Sequence, residues 1–360
     1  MTRLEARRGT TLAHYVKALA AGQGDRAASA AYAMGRSWSD SAQIAGILKS
    51  AVTAHSLAEL ASVLGPISSD LVELVRPLTI VGRLESRMRR VPFGVKSIRQ
   101  AGGAQGRWVE EGAAIPASRL DLDAAANRLM PKRVAAIAFQ TDEIAKHSDP
   151  SSDAIISNDV AAALAPATDL AFADPTNAGD DATPASVFYG AASIPSSGSD
   201  VGSIDEDLRR LCGLLLVAGS TLRGATWVMS ARTAAYLAFL RDASGARAYP
   251  AMRVDGGTIA GMEVQVSASV PEAGSPAETT IGLLDPAGVN FADDGQARVD
   301  VSTRGAVQMD DAPTNDAGAG TGASVVSLWQ VGAIAIAAQR YMNWSVARAG
   351  FTAYISGVAY

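Results

Sequence analysis

The sequence runs to 360 residues, 48% of them apolar but only 6% aromatic, with 34 glycines. That is enough for a sizeable core, much of it built from small side chains. The lone cysteine, Cys212, excludes an intramolecular disulfide framework and a cysteine-based zinc site, and a net charge of −5 argues against a bulk basic footprint for nucleic acid. The charge is unevenly spread: residues 1–133 carry 19 Lys/Arg against 11 Asp/Glu, the remainder 12 against 25. Opposite signs in the two parts suit head-to-tail association. Apolar runs such as Val331–Ala338 fall short of the ~20 residues a membrane span needs. Arg3, Arg7 and Arg8 are not followed by a signal-peptide-like apolar segment, because His14 and Lys17 interrupt it, so synthesis in a cytoplasm is expected.

Residues 10–76 read as short helices. Thr11–Ala21 places Leu12, Tyr15, Val16 and Leu19 on one face. Asp40 is positioned to cap a helix carrying Ile44, Ile47, Leu48 and Val52, and Ser69 or Asp70 to cap another with Leu71, Leu74 and Val75, which Pro77 ends. These helices are thin in large apolar residues and need a surface to lie on. Leu78–Leu84 reads as a strand. Residues 88–138 form a polar, glycine-rich excursion with no helical period: Arg87, Arg89 and Arg90, then Val95–Gln100, the tip Gly102–Gly106, Arg107 and Trp108, and alternating Leu120–Asp123. It ends in a strand-like run, Met130–Thr141. A bare ribbon of this kind has too little core to be stable in water, so it is expected to dock on another subunit. Trp108 is its candidate anchor, since aromatics concentrate at interface centres.

Thr141–Ser148 reads as a short helix. Ser152–Phe172 is a longer one with Ile156, Val160, Leu164 and Ala171 in a stripe, and Pro166 is expected to kink or break it. Pro175–Gly198 is loop-rich and is expected to provide bending. Beyond residue 200 come a helix Ile204–Leu216, a strand Ala225–Ser230, a helix Ala231–Arg241 capped by Ser230, and strands at Glu263–Ser267, Thr279–Leu284 and Arg298–Ser302. Asp310–Gly322 reads as a surface loop, and Leu328–Ala338 and Ala347–Tyr354 as terminal strands. Cys212 lies in the apolar run Leu211–Val217 and reads as a buried small hydrophobe.

No catalytic template is met. A Gly-x-Ser-x-Gly elbow and a phosphate loop are absent, and Gly318–Gly322 lacks the lysine and helix that a phosphate cradle needs. His14, His55 and His147 are scattered, without metal-ligand spacing. Paired carboxylates at Glu110-Glu111, Asp121/Asp123, Asp293-Asp294 and Asp310-Asp311 read as solvated surface. The chain is therefore not expected to be an enzyme or to need a cofactor.

An ordered series of short motifs resembles the major capsid proteins of tailed phages with the HK97-type fold. Arg90-Val91-Pro92-Phe93 leads to Trp108-Val109-Glu110-Glu111-Gly112, then Pro116 and Ser118, then Pro131-Lys132-Arg133-Val134-Ala135. Further on come Thr141-Asp142-Glu143-Ile144, Trp227-Val228-Met229-Ser230, Leu240–Gly245, Gly256-Gly257-Thr258, Gly261-Met262-Glu263-Val264, Ser327-Leu328-Trp329-Gln330 and Asn343-Trp344. The resemblance covers about residues 78–360 and implies an α+β fold. Its parts are an N-terminal helical arm (1–77), an E-loop ribbon with flanking strands (78–140), a P-domain with a spine helix (141–199), an A-domain (200–324) and closing strands (325–360).

The resemblance further implies a subunit that self-assembles into pentamers and hexamers of an icosahedral shell around phage or prophage double-stranded DNA. Portal, decoration or scaffolding proteins are the implied partners, with no membrane, and the location is the virion, after synthesis in the host bacterium. Arg107, Trp108, Glu110, Glu111, Gly112 and Pro116 are the expected E-loop contacts, and Arg87, Arg89 and Arg90 an expected basic inter-subunit patch. Some members of the family weld the shell through a lysine and an asparagine. Those positions fall here at Ile115 or Ala114 and near Gln330 or Val331, so a non-covalent shell is expected. About 77 residues precede the match, and extensive processing is not expected. An encapsulin-like compartment enclosing cargo protein is the alternative.

Overall fold

The computed structural model describes residues 10–23, 25–53, 70–95, 99–100, 122–123, 128–141, 150–274, 277–302, 305–308 and 325–360. Its helices are α1 (Thr10–Ala21), α2 (Arg26–Met34), α3 (Ser41–Thr53), α4 (Ile80–Leu84), α5 (Pro150–Ala173), α6 (Val201–Val217), α7 (Ala231–Phe239) and α8 (Leu328–Val331). Its strands are β1 (Arg89–Arg90), β2 (Arg99–Gln100), β3 (Leu122–Asp123), β4 (Lys132–Thr141), β5 (Ala192–Pro195), β6 (Thr226–Ser230), β7 (Met252–Arg253), β8 (Gly256–Ile259), β9 (Met262–Ser267), β10 (Thr279–Leu284), β11 (Val289–Ser302), β12 (Ala306–Gln308), β13 (Val325–Ser327), β14 (Ala333–Val346) and β15 (Thr352–Val358). Main sheets run in the orders β1-β11-β14-β4 and β5-β15-β10-β6-β9-β8-β7. The chain divides into two compact units. One gathers residues 1–78, 134–165 and 295–341, the other 79–133, 166–294 and 342–360.

In the first unit the N-terminal helices find the surface they lack on their own. Leu12, Tyr15, Val16 and Leu19 of α1 and Ile44, Ile47 and Leu48 of α3 share one buried cluster with Val160, Ala161 and Leu164 of α5. Ala297 and Val299 of β11 and Ile334, Ile336 and Ala338 of β14 join it, with Val134, Ala136 and Ala138 of β4 packed against it. Each strand contributes every second residue, as a pleated sheet with one face on these helices must. The opposite face of β14 offers Ala333 and Ala335 to a smaller cluster with Leu328, Phe139 and Val307.

Local polar bonds fix the helix ends. Asp25 caps α2 by accepting from the Ala27 N–H (2.8 Å). Asp70 opens the helical stretch 70–75 and caps α1 instead, accepting from the Leu12 N–H (3.1 Å). Asp40, expected to cap α3, turns its carboxylate to His14 Nδ1 (2.7 Å), and the His14 ring stacks on Trp38 with centroids 4.4 Å apart. Pro166 does not break α5, which is helical from Pro150 to Ala173. Proline removes one donor to the carbonyl four residues back; Pro166 and Ala162 are both exposed, so water can serve the freed carbonyl.

In the second unit α6 and α7 pack on the seven-stranded sheet. Ile204, Leu208, Leu211 and Leu215 of α6 and Ala234 and Leu237 of α7 meet Trp227, Met229, Ile281, Leu283 and Ile355. Asp200 caps α6 through the Ser203 N–H (3.1 Å) and Ser230 caps α7 through the Thr233 N–H (3.2 Å). Trp227, fully buried in β6, donates its indole N–H to the Ile259 carbonyl (3.3 Å). The Phe188 ring lies so close over Gly282 that a Cβ there would sit 2.2 Å from its Cζ, so only glycine fits.

Three sequence expectations are corrected. Ile80–Leu84 is a helical turn, not part of a strand: Thr79 Oγ1 accepts the Gly82 N–H (3.0 Å) and buried Asp169 accepts the Ile80 N–H (2.7 Å), which outweighs the β-preference of Ile80 and Val81. Leu328–Val331 is also helical, closed by Gly332 at φ +61°, and the strand begins at Ala333. The stretch 174–198 is braced instead of pliant. Asn177 Nδ2 donates to the Ala171 and Pro184 carbonyls (3.0 Å each), Ser186 Oγ to the Phe172 carbonyl (2.8 Å), and Lys132 Nζ to the Asp180 and Thr183 carbonyls. Ala192–Pro195 then pairs with β15 as an edge strand. Of the helix expected at Thr141–Ser148 only Thr141 is described, as the last residue of β4; residues 142–148 and the loop at Asp310–Gly322 lie outside the described residues.

Two predictions follow from this packing. Ile44→Ala and Leu164→Ala, in different helices of one core, should each cost about 2–5 kcal/mol in denaturant unfolding and shift the same transition; a separate early transition for the arm alone would contradict the shared core. Burial pushes the Asp169 carboxyl up, against the lowering pull of its bonds from Ser267 (2.6 Å) and Ile80 and of the Arg83 charge. Asn at this position keeps an acceptor for Ile80 and a donor for Ser267. Asp169→Asn should therefore be nearly neutral, whereas Asp169→Ala strands the Ile80 N–H and should cost roughly 1–3 kcal/mol in the same assay.

Candidate functional site

The polar excursion is anchored in the second unit by a short antiparallel pair. Arg99 stands opposite Asp123 and Gln100 opposite Leu122, so the chain leaves through β2 and returns through β3. Arg107, Trp108, Glu110, Glu111, Gly112 and Pro116, the expected E-loop contacts, lie between these strands and outside the described residues, as do Ala114 and Ile115.

The three arginines expected to form a patch sit beside this ribbon root in sequence. Arg89 and Arg90 make up β1, exposed, and pair in parallel with Asn290 and Phe291 of β11. Their environments differ. Arg87 bonds to Glu263 Oε2 at 2.6 Å. Arg90 approaches Glu85 at 3.6 Å, with Glu85 only 5% exposed, so that guanidinium reaches down to a carboxylate with little access to water. Both pairs lie within the chain. An exposed pair such as Arg87–Glu263 is worth about 0.2–1 kcal/mol, weak enough to be exchanged for a partner's carboxylate.

Arg83, one turn before Arg87, donates to the Val266 carbonyl (3.0 Å) and the Thr79 carbonyl (3.3 Å). With Asp169 and Ser267 it fixes α4, and through α4 the start of β1. Nothing in the sequence marked Asp169 for this role, because its partners lie 89 and 98 residues away.

Several other polar groups fasten the fold. His14 is held between Asp40 and Trp38, with no nucleophile bonded to it in the described contacts, while His55 and His147 are outside the described residues. Buried Asp207 accepts the Ser197 N–H (2.7 Å), and Asp285 accepts Ser220 Oγ (2.6 Å) and the Ala287 N–H (3.1 Å), each fastening a loop to the sheet unit. The Cys212 thiol is half-buried and its pKa raised by that burial, the opposite of what a reactive thiolate needs. Among the described residues no three His, Cys, Asp or Glu side chains cluster as metal ligands, and no helix is long and apolar enough to cross a membrane. At the chain's end Asn343 Nδ2 donates to the Met130 carbonyl (2.6 Å). The Trp344 indole N–H bonds the Ala185 carbonyl (2.8 Å), and its ring stands edge-on to Phe172. Gln330 and Val331, the expected asparagine positions, are exposed on α8.

Known proteins are similar to this chain. The profile of the phage capsid family matches residues 67–315. A capsid polyprotein of Pseudomonas phage PAJU2 is 37% identical over 295 residues, covering 81% of this chain and 43% of that protein. The major capsid protein of Klebsiella oxytoca phage phiKO2 is 27% identical over 248 residues, covering 66% and 56%. The chain thus spans about half the length of the curated relatives it matches. A solved chain from Mycobacterium phage Ogopogo aligns with a TM-score of 0.53 at 15% identity, over 77% of this chain and 91% of that one. One from Gordonia phage Cozz gives 0.52 at 16%, over 77% and 86%, and the capsid of a native GTA particle 0.50 at 14%, over 76% and 89%. These likenesses establish an α+β fold of the HK97 type. With that fold in place and a family profile spanning well over half its residues, the chain belongs to the phage capsid family.

Proposed function

We propose that the chain is a major capsid subunit that self-assembles, five or six copies to a ring, into an icosahedral shell around a double-stranded DNA phage or prophage genome. The observation that carries this reading is the family match across residues 67–315, supported by the HK97-type fold. In this reading residues 1–77 are the N-terminal arm, 78–140 the E-loop and its flanking strands, 141–199 the P-domain with its spine helix, 200–324 the A-domain and 325–360 the closing strands. Ring contacts are heterologous, so one pair of surfaces closes five- and six-membered rings with small rotations. The E-loop leans on a neighbour through Arg107, Trp108, Glu110, Glu111, Gly112 and Pro116, and Arg87, Arg89 and Arg90 face a neighbour's acidic surface. Many modest contacts then act together.

The shell is held without covalent welds, because Ala114, Ile115, Gln330 and Val331 offer neither a lysine nor an asparagine. The chain is made in the host bacterial cytoplasm and works in the virion with a portal and with decoration or scaffolding proteins. It performs no catalysis.

Purified protein viewed by negative-stain microscopy should form uniform hollow particles, and a strictly monomeric chain under every salt condition would overturn the reading. Particles boiled in SDS should yield a single monomer band, with no ladder of linked chains. Deletion of Ala101–Ser118 should leave the circular dichroism of the monomer unchanged and abolish particles; normal particles from that variant would remove the E-loop from the assembly.

A further inference from the structure

Along α7, Ala234 and Leu237 enter the core of the second unit, while Arg232 and Phe239 stay exposed. Arg232, Tyr236 and Phe239 recur at spacings of four and three residues and so line one side of the helix. With Leu240, Arg241 and Tyr360 they border an open groove of about 810 Å³. The Tyr236 and Tyr360 rings lie in it with centroids 5.0 Å apart, and Phe239 stands 66% exposed at its edge. From Arg232 to Phe239 the helix rises about 10 Å, and Arg241 follows just beyond. The groove is thus aromatic and aliphatic along its length, with a guanidinium towards each end.

Neither guanidinium meets a carboxylate in the described contacts. Arg232 donates to the Ala277 and Ala359 carbonyls (3.2 Å each), and Arg241 to the Gly245 carbonyl (2.7 Å). Arg247, exposed and bridged to Arg241 across the intervening turn, adds a third cation with no carboxylate among the described contacts. The acids in this region are already engaged. Asp242 accepts the Ser244 N–H (2.9 Å) and the Ala246 N–H (3.0 Å), and Asp205 accepts the Tyr249 O–H (2.6 Å). The Tyr360 main-chain oxygen takes the Thr233 hydroxyl (3.0 Å). An arginine that rests on carbonyls keeps its full charge, and its planar fork suits a carboxylate.

We propose that this groove docks an extended acidic peptide of another protein, one that sets two apolar residues between two carboxylates. Three extended residue steps cover about 10 Å, which matches the rise from Arg232 to Phe239. One carboxylate then meets Arg232 and the other Arg241, with the apolar pair against Tyr236 and Phe239. The assignment rests on charge complementarity. A second copy of this chain does not supply the occupant: acid, two apolar residues, acid occurs once in the sequence, at Asp70-Leu71-Val72-Glu73. There Leu71 and Val72 are buried in the core of the first unit. A single-stranded nucleic acid brings flat rings and negative charge, but it calls for basic groups tracking every phosphate, and here the stretch between the two arginines is apolar. The inference goes beyond the shell reading and does not depend on it.

The probe is a fluorescein-labelled peptide, Gly-Ser-Asp-Leu-Phe-Asp-Ser-Gly, titrated with the full-length chain and followed by anisotropy. Binding should saturate and weaken as salt is raised. Phe239→Ala and Arg241→Glu, both at exposed positions and with melting temperatures unchanged as the control, should each raise Kd about tenfold or more. A peptide whose second Asp is replaced by Lys should bind the wild-type chain poorly and recover on Arg241→Glu. Absence of saturable binding to the wild-type chain would overturn the proposal, as would equal binding by both variants. Tighter binding of an oligothymidylate with the same sensitivity to Phe239→Ala would overturn it in favour of a nucleic acid. Self-association of the wild-type chain that Phe239→Ala abolishes, with the peptide unbound, would give the groove to a second copy. Each of these failures leaves the shell reading standing, since particle formation by microscopy tests that separately.

Discussion

The structure depends on a shared core between helices that cannot stand alone and a sheet that cannot stay bare. The N-terminal helices α1 to α3 are rich in alanine and offer few large side chains apiece, so the cost of ordering them must be met by burial elsewhere. Leu12, Val16, Ile44 and Leu48 bury against Val160 and Leu164 of the long helix and against alternate residues of β11 and β14. Neither partner is expendable. Without the helices the alternating face of the sheet meets water, and without the sheet the helices lose the cooperative surface that makes them helical.

A second theme is the use of buried carboxylates and amides as fasteners. Asp169 joins the end of α5 to the start of α4 and to β9, Asp207 holds Ser197, Asp285 holds Ser220, and Asn177 ties the loop after α5 to carbonyls on both sides. Each satisfies backbone or hydroxyl donors that would otherwise be buried unpaired, which is where hydrogen bonds matter most to stability. The effect is to stiffen segments whose composition suggests looseness.

The proposed assembly would draw on surfaces that are weak in the monomer. Arg87 and Arg90 already have carboxylates within their own chain, at 2.6 and 3.6 Å; the exposed Arg87–Glu263 pair can exchange partners at little cost, whereas Arg90 is held by the nearly buried Glu85. On α7 and just after it, Arg232 and Arg241 donate instead to backbone carbonyls of their own chain.

The sequence by itself determined the elements whose signals are local. Periodicity placed α1, α3 and α5; Ser230 precedes α7 as a capping residue must; and strict alternation marked β9. The ordered motifs from Arg90 to Trp344 were enough to indicate the family. Tertiary structure alone decided the rest. Ile80 and Val81 favour a strand, but the cap from Thr79 and a carboxylate 89 residues away make them helical. Asp40 looked like a helix cap until His14, 26 residues earlier, claimed its carboxylate. Pro175–Gly198 looked pliant because the donors and acceptors that brace it, Lys132, Ala171 and Phe172 among them, are not neighbours in its own loop. The groove on α7 was illegible for the same reason: its walls come from residues 232–241 and 360, and only folding brings them together. Local propensity is written within a few residues, whereas a buried polar partner or a composite surface is chosen by the fold.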